Sequence, residues 1–202
     1  IRFMRLAHTP LADLEADLAL QALGLAEGSF AGNLSGQPGY ILPTTVLFAV
    51  FGAGAALART IPALAGAALA LTPALFTKQL GRLAALILAF GLALDPGLTA
   101  LSRQASGFSW AVLFSVLTYA SLKNKKAVLT GASFGLAILA GALFWHGLLG
   151  AVLGWGLYTA LSRSPKTDEV SLENHQAVPA EFWRRAVPAA LASLILVGSM
   201  FL

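Results

Sequence analysis

Long apolar blocks, separated by short basic or turn-forming stretches, limit the possible folds of this chain more than any other feature. Seven such blocks follow residue 40, at 41–58, 60–77, 83–101, 108–122, 127–144, 147–162 and 186–202. Each holds 15 to 19 residues, whereas a helix needs roughly 17 to 25 to cross a bilayer. The blocks predict an all-α, polytopic integral membrane bundle of six to seven short transmembrane helices.

The composition agrees with a membrane protein and excludes several functions. Hydrophobic residues make up 57% of the chain and charged residues only 11%, against about 25% charged in soluble domains. The chain has no cysteine, which excludes disulfides, thiolate catalysis and cysteine-bound metal centres. The net charge is +4, but the basic residues lie at block ends and form no continuous face for nucleic acid. We expect the lipid bilayer as a partner, and neither nucleic acid nor a cofactor.

The distribution of Lys and Arg predicts the orientation of the chain. If each block crosses once, one side of the membrane receives eleven basic residues: Arg2, Arg5, Lys78, Arg82, Lys123, Lys125, Lys126, Arg163, Lys166, Arg184 and Arg185. The other side receives only Arg59 and Arg103. This bias predicts a cytoplasmic amino terminus and a carboxyl terminus on the outer side. It requires Arg59 to lie in a tight turn between blocks 41–58 and 60–77.

Residues 1–40 differ from the bundle, which is predicted for 41–202 with a polar loop at 162–185. Between Pro10 and Leu25, leucines recur at helical spacing among acidic and amide side chains, which predicts an amphipathic helix. It would lie on the membrane surface or against the bundle, and its acidic polar face favours docking on protein over binding anionic lipid. The glycine-rich stretch 24–39 ends in Gln-Pro-Gly and predicts a linker or a re-entrant loop. A partner protein could therefore dock through residues 10–36.

Four ionisable residues near the apolar blocks are candidate substrate-binding groups: Asp95, Arg59, Arg103 and His146. Asp95 lies in the helix-breaking sequence Asp-Pro-Gly. It marks either a discontinuous helix that lines a cavity, as in transporters, or a surface turn in water near Arg103 or Arg59. His146 follows Trp145, which favours a place at the membrane interface over a proton relay. A lone histidine does not predict a metal site, and no residue is predicted to be catalytic.

Small and hydroxyl side chains are concentrated in the central blocks. Glycines four residues apart, Gly131 with Gly135 and Gly150 with Gly154, predict close helix packing. The fourth and fifth blocks also carry Ser109, Ser115, Thr118, Tyr119, Ser121, Thr130 and Ser133. These hydroxyls either border a solute path or bond across helices.

Three functions are compatible with this pattern. The first is a small carrier or channel for an unidentified small molecule or ion, and the second is a non-catalytic subunit of a larger membrane assembly. The third is a membrane enzyme acting on a phospholipid or polyprenyl-phosphate, whose head group would bind at Lys78, Arg82, Lys123, Lys125 and Lys126. The orientation of the chain in the membrane, which favours Lys and Arg on the cytoplasmic side, is by itself enough to explain these basic residues. Since no phosphate-binding loop, zinc motif or catalytic triad occurs in the sequence, transport is preferred to catalysis.

Overall fold

A computed structural model describes residues 2–3, 6–30, 36–162 and 184–185 as a helical bundle, without strands in these ranges. In chain order the elements are α1 (Asp13–Ala26), α2 (Pro38–Phe51), α3 (Ala55–Leu71), a 3-10 helix (Thr72–Phe76), α4 (Thr77–Leu80), α5 (Arg82–Leu94), α6 (Pro96–Ser102), α7 (Phe108–Lys123), α8 (Ala127–Ile138) and α9 (Ala142–Ser162). The predicted final crossing 186–202 and most of the polar loop 162–185 lie outside the described residues.

One helical run is long and apolar enough to cross a membrane. It extends over 26 residues, Ala55–Leu80, and comprises α3, the 3-10 helix and α4. Two bent pairs qualify only if each is counted as one span: α5 with α6, bent by 58°, and α8 with Ala142–Gly154 of α9, bent by 114°. The described part of the chain therefore contains one to three candidate spans, and the apolar helices α2 and α7 are shorter.

The helix α1 confirms the predicted helix in the amino-terminal segment. Its Leu18, Ala19 and Ala22 share an apolar core cluster with Tyr40 and Ile41 of α2. The apolar face of α1 thus packs against the bundle, which is one of its two predicted positions. Of the glycine-rich stretch that follows, residues 31–35 lie outside the described ranges.

The prediction that Arg59 occupies a turn is wrong. Helix α2 ends at Phe51, and Gly52 then adopts a left-handed φ of 84°, a conformation that glycine tolerates without a steric penalty. Arg59 lies in the second turn of α3 and is only 5% exposed. The chain therefore turns at 52–54, and the arginine is buried in the fold instead of facing water.

The block predicted at 127–144 is also interrupted. Helix α8 ends at Ile138, and Gly141 has a φ of 69° before α9 begins. A β-carbon at Gly141 would collide with the carbonyl oxygen of Gly36. Only glycine allows the two backbone segments to approach so closely, and the break between α8 and α9 lies at this contact.

Apolar surface is concentrated on the outer helices. Of the residues in α5, only Ala85 is buried, while leucine, isoleucine and phenylalanine side chains face outward. Helix α9 likewise exposes Trp145, Leu149 and Leu153. Exposed apolar side chains in such numbers are typical of proteins that contact a membrane or another protein.

Candidate functional site

Charged side chains converge on the short helix α6 and its surroundings. Arg2, Glu15, Arg59, Asp95 and Arg103 come from four separate parts of the sequence, the last two flanking α6 itself. Such convergence is unusual in a chain with only 11% charged residues, because a buried charge is unfavourable unless it is paired. This cluster is the candidate functional site.

Arg59 and Glu15 form a buried ion pair at the centre of the site. Arg59 Nη2 lies 2.6 Å from Glu15 Oε2, and the two side chains are 7% and 11% exposed. Arg59 also donates to the carbonyl oxygens of Leu6, Thr9 and Pro10 at 2.8 to 2.9 Å. The guanidinium therefore ties the segment before α1 to helix α3.

The carboxylate of Glu15 links this segment to the loop after α6. It accepts hydrogen bonds from the backbone N–H of Ala12 at 3.0 Å and of Ala105 at 2.7 Å. Burial by itself raises the pKa of Glu15, but the bonds from Arg59, Ala12 and Ala105 outweigh it and hold that pKa below its ordinary value. Glu15 is thus stabilised in its ionised form.

Arg2 fills the bend between α5 and α6. Pro96 has no N–H, so the carbonyl of Leu92, four residues earlier, has no helical donor. Arg2 Nη2 donates to this carbonyl at 2.7 Å, and Nη1 donates to Ser102 Oγ at 3.0 Å. The guanidinium replaces the hydrogen bond that the proline removes.

Gly66 of α3 provides the space for this contact. A β-carbon there would lie 2.6 Å from Arg2 Nη1 and would clash with Ser102 Cβ. Close approach of α3 to α6 therefore depends on a residue without a side chain.

Asp95 lies at the break itself and combines features of both predicted alternatives. It is exposed, and its Oδ1 accepts a 2.6 Å hydrogen bond from the backbone N–H of Leu98, so it caps α6. Burial lowers the pKa of Arg2, whereas the charge of Asp95 raises it. The negative charge of Asp95 thus acts on the guanidinium of Arg2.

An open polar cleft of about 390 Å³ lies at the other end of α6. Its lining includes Thr9, Glu15, Arg59, Arg103 and Gln104. The structure thus brings two of the four predicted site residues, Arg59 and Arg103, to one cleft. Asp95 lies at the opposite end of α6, outside this lining.

His146 is separate from the site. It lies in the second turn of α9 and is exposed, and its Nδ1 lies 2.7 Å from the carbonyl oxygen of Ala142. Among the described residues, no group of three or more His, Cys, Asp or Glu could hold a metal ion. Most of the polar loop 162–185, with its acidic residues and His175, lies outside that part of the chain.

The hydroxyl-rich helices α7 and α8 use their hydroxyls mainly for backbone bonds. Ser115, Thr118 and Thr130 each donate to the carbonyl four residues earlier in their own helix. Thr118 and Ser133 also meet across the two helices at 3.1 Å. These contacts favour the helix-bonding alternative for the residues involved.

Sequence reasoning missed Arg2 and Glu15 as members of the site. The acidic face of α1 was visible, but nothing local indicates that one of its carboxylates meets an arginine 44 residues later. Arg2 was counted only as an orientation signal.

No protein-family model, curated protein or solved structure matches this chain.

Proposed function

We propose that this chain is a small membrane carrier whose solute path follows helix α6 from the α5–α6 break to the polar cleft. The observation that carries the proposal is the convergence of five charged residues on this helix in an otherwise apolar bundle. Ionisable groups inside a membrane protein commonly mark pathways for solutes or ions. Carriers also use discontinuous helices to expose backbone groups to their cargo.

The contacts at the break favour the cleft as the solute site. In carriers, the carbonyls freed at a broken helix coordinate the coupling cation. Here the freed carbonyl of Leu92 already accepts a hydrogen bond from Arg2. The guanidinium of Arg2 thus occupies the place where a carrier would bind its coupling cation. The cleft beside Arg59, Arg103 and Gln104 provides the polar surface for a small solute.

The proposal includes a bundle of six to seven crossings. Arg59, which binds the amino-terminal residues Leu6, Thr9 and Pro10, lies near the start of the 26-residue run Ala55–Leu80, and Lys78 lies near its end, so the amino-terminal segment and the turn at 78–82 are placed at opposite ends of this crossing. The bent pairs α5–α6 and α8–α9 would each be embedded in lipid, with the exposed leucines of α5 facing the acyl chains. The excess of Lys and Arg in the turns at 78–82 and 123–126 supports placing both turns on the cytoplasmic side.

Charge-removing variants at the two ends of α6 test the proposal. Asp95→Asn keeps the helix cap, because asparagine caps helices as well as aspartate, while Arg103→Gln alters the cleft. Asp13→Asn removes an exposed carboxylate from α1 and is the matched control. Each protein is reconstituted in liposomes, and its current on a solid-supported membrane is measured with acetate, succinate, glutamate, phosphate and methylammonium in turn.

We expect the parent protein and Asp13→Asn to carry current with at least one of these solutes. Asp95→Asn and Arg103→Gln should lower that current at least about tenfold, equivalent to ~1.4 kcal/mol in the barrier. Retention of full current by both variants, at unchanged thermal stability, would remove α6 from the path. Absence of current from the parent with every solute would count against the carrier itself.

A non-catalytic membrane subunit is the second candidate, favoured by the outer surface of α1. Leu14 and Leu20 are 82% and 64% exposed, beside the exposed Asp13 and Asp17, although the other face of α1 packs on α2. Native mass spectrometry after purification in mild detergent tests this function. A stoichiometric protein partner that is lost in Leu14→Ser/Leu20→Ser would support it, whereas a single species free of other proteins would count against it.

A further inference from the structure

A groove between α7 and α8 lies away from the charged site. Its volume is about 260 Å³. Its walls are formed mainly by apolar side chains, among them Leu75, Phe114, Leu117, Leu129 and Leu136. Its polar residues other than Ser133, namely Ser121, Asn124 and Lys126, belong to the end of α7 and the turn before α8.

The groove is therefore polar at one end and apolar along its length. From Phe114 to Asn124, ten helical residues correspond to about 15 Å at 1.5 Å per residue. The deeper hydroxyl of Ser133 is satisfied, because it donates to the carbonyl of Leu129 at 2.6 Å and meets Thr118 Oγ1 at 3.1 Å. An apolar chain could lie in the groove without leaving this polar group unpaired.

The polar end of the groove carries a high positive charge. Lys123, Lys125 and Lys126 are all exposed within four consecutive residues. Lys123 also lines a second cleft, of about 270 Å³, together with Tyr119 and Phe76. The ring contact of Phe76 with Tyr119, 5.9 Å between centroids, places Lys78 of α4 at the same end of the bundle.

The backbone at Lys125 gives a further reason to consider these lysines functional. Helix α7 ends in a Schellman motif, in which Lys126 N donates to Ser121 O and Lys125 N donates to Leu122 O. The motif requires a left-handed residue at position 125, which is usually glycine. Lys125 has a φ of 54°, and among the described residues no other non-glycine residue has a positive φ. A lysine thus stands where glycine would be more stable, as expected where a side chain has a role.

We propose that this groove binds an anionic phospholipid, with one acyl chain between α7 and α8 and the phosphate at Lys125 and Lys126. The apolar walls match a hydrocarbon chain, and the basic mouth complements the negative head group. The inference rests on the membrane placement proposed above but not on transport. A protein that carries no solute could still retain the lipid.

Native mass spectrometry with defined lipids tests the site. The protein is purified in mild detergent and supplied with phosphatidylglycerol or with phosphatidylcholine of the same acyl chains. We expect phosphatidylglycerol to be retained preferentially, and Lys126→Gln to weaken its binding about fivefold, the usual contribution of one basic residue near an anionic lipid. Lys78→Gln is the matched control, since it removes a lysine at the same end that does not line the groove.

Two variants separate the groove from general electrostatics and from misfolding. Ala132→Phe fills the groove, which Ala132 lines, and should weaken long-chain phosphatidylglycerol binding while leaving the water-soluble dihexanoyl form unaffected. Lys125→Gly should weaken lipid binding while raising the thermal midpoint, because glycine relieves the left-handed backbone. A purely structural lysine would not give these opposite effects.

The following results would overturn the proposal. Equal losses for Lys78→Gln and Lys126→Gln would show diffuse charge attraction without a site. Unchanged long-chain binding in a folded Ala132→Phe variant would exclude the groove. Equal binding of phosphatidylcholine and phosphatidylglycerol would exclude recognition of the anionic head group.

Discussion

The region around α6 and the α7–α8 hairpin are stabilised in different ways. Around α6, buried Arg2 and Arg59 connect distant segments through charged hydrogen bonds. In the hairpin, small side chains allow the helices to approach, and the hydroxyls bond mainly to their own helices. The hairpin sequence, residues 108–138, contains neither Asp nor Glu.

The difference shows where each region is vulnerable. Removing one partner of a buried ion pair leaves the other charge uncompensated in an apolar environment. A helix pair held by many weak contacts loses only a small part of its stability with any one of them. We therefore expect single substitutions to have large effects around α6 and small effects in the hairpin.

The largest effect is expected for Arg59→Met. It leaves the Glu15 carboxylate without its counter-ion and the carbonyls of Leu6, Thr9 and Pro10 without their donor. The free energy of unfolding should fall by about 3 to 5 kcal/mol, measured by denaturant titration in mild detergent. Arg59→Met/Glu15→Leu should recover part of the loss. A fall below about 1 kcal/mol in the single variant would show that the pair does not hold the segment.

Gly66→Ala should destabilise the protein by about 1 to 3 kcal/mol through overpacking. Its new β-carbon would press on Arg2 and Ser102. Gly91→Ala is the matched control, since a β-carbon at this position in α5 meets nothing within 4 Å. The control should be neutral or stabilising, and thermal unfolding of both variants provides the comparison. The same change in both would mean that α3 and α6 are not in close contact.

Acidification should weaken the attachment of the amino-terminal segment. The folded pKa of Glu15 is lowered, so its contribution to stability is full above the unfolded pKa of about 4.3. The contribution declines below that value and is lost as the pH falls through the lowered folded pKa. Hydrogen exchange of residues 6–15 at pH 7 and pH 3 should show this loss, and Glu15→Gln should reduce the difference. Equal protection at both pH values would contradict the role of the carboxylate.

The smallest effect is expected in the hairpin. Thr118→Val removes the 3.1 Å contact with Ser133, and such bonds between membrane helices contribute about 0.6 kcal/mol on average. A similarly small shift of the unfolding midpoint should follow. A loss as large as that of Arg59→Met would remove the contrast between the two regions.

The sequence predicts the helical blocks better than their ends or the site. Block 108–122 nearly coincides with α7, which is Phe108–Lys123, because apolar length is a local property. The sequence predicts a turn at Arg59 because an unpaired charge is stable only in water. In the structure Arg59 is paired with Glu15, 44 residues earlier in the chain, and can therefore be buried. The break at Gly141 was missed because it depends on contact with Gly36, which no local pattern records.

Thiol accessibility is the most direct test of the central claim that solute and water reach α6. The chain has no cysteine, so single cysteines can be introduced at Ala100 in the polar cleft and at Ala132 in the α7–α8 groove. In proteoliposomes, we expect a membrane-impermeant methanethiosulfonate to modify Ala100→Cys rapidly and Ala132→Cys at least about tenfold more slowly, because charged reagents do not enter hydrocarbon. Equal protection of the two positions would contradict a solute path at α6 and leave its charges with a structural role alone.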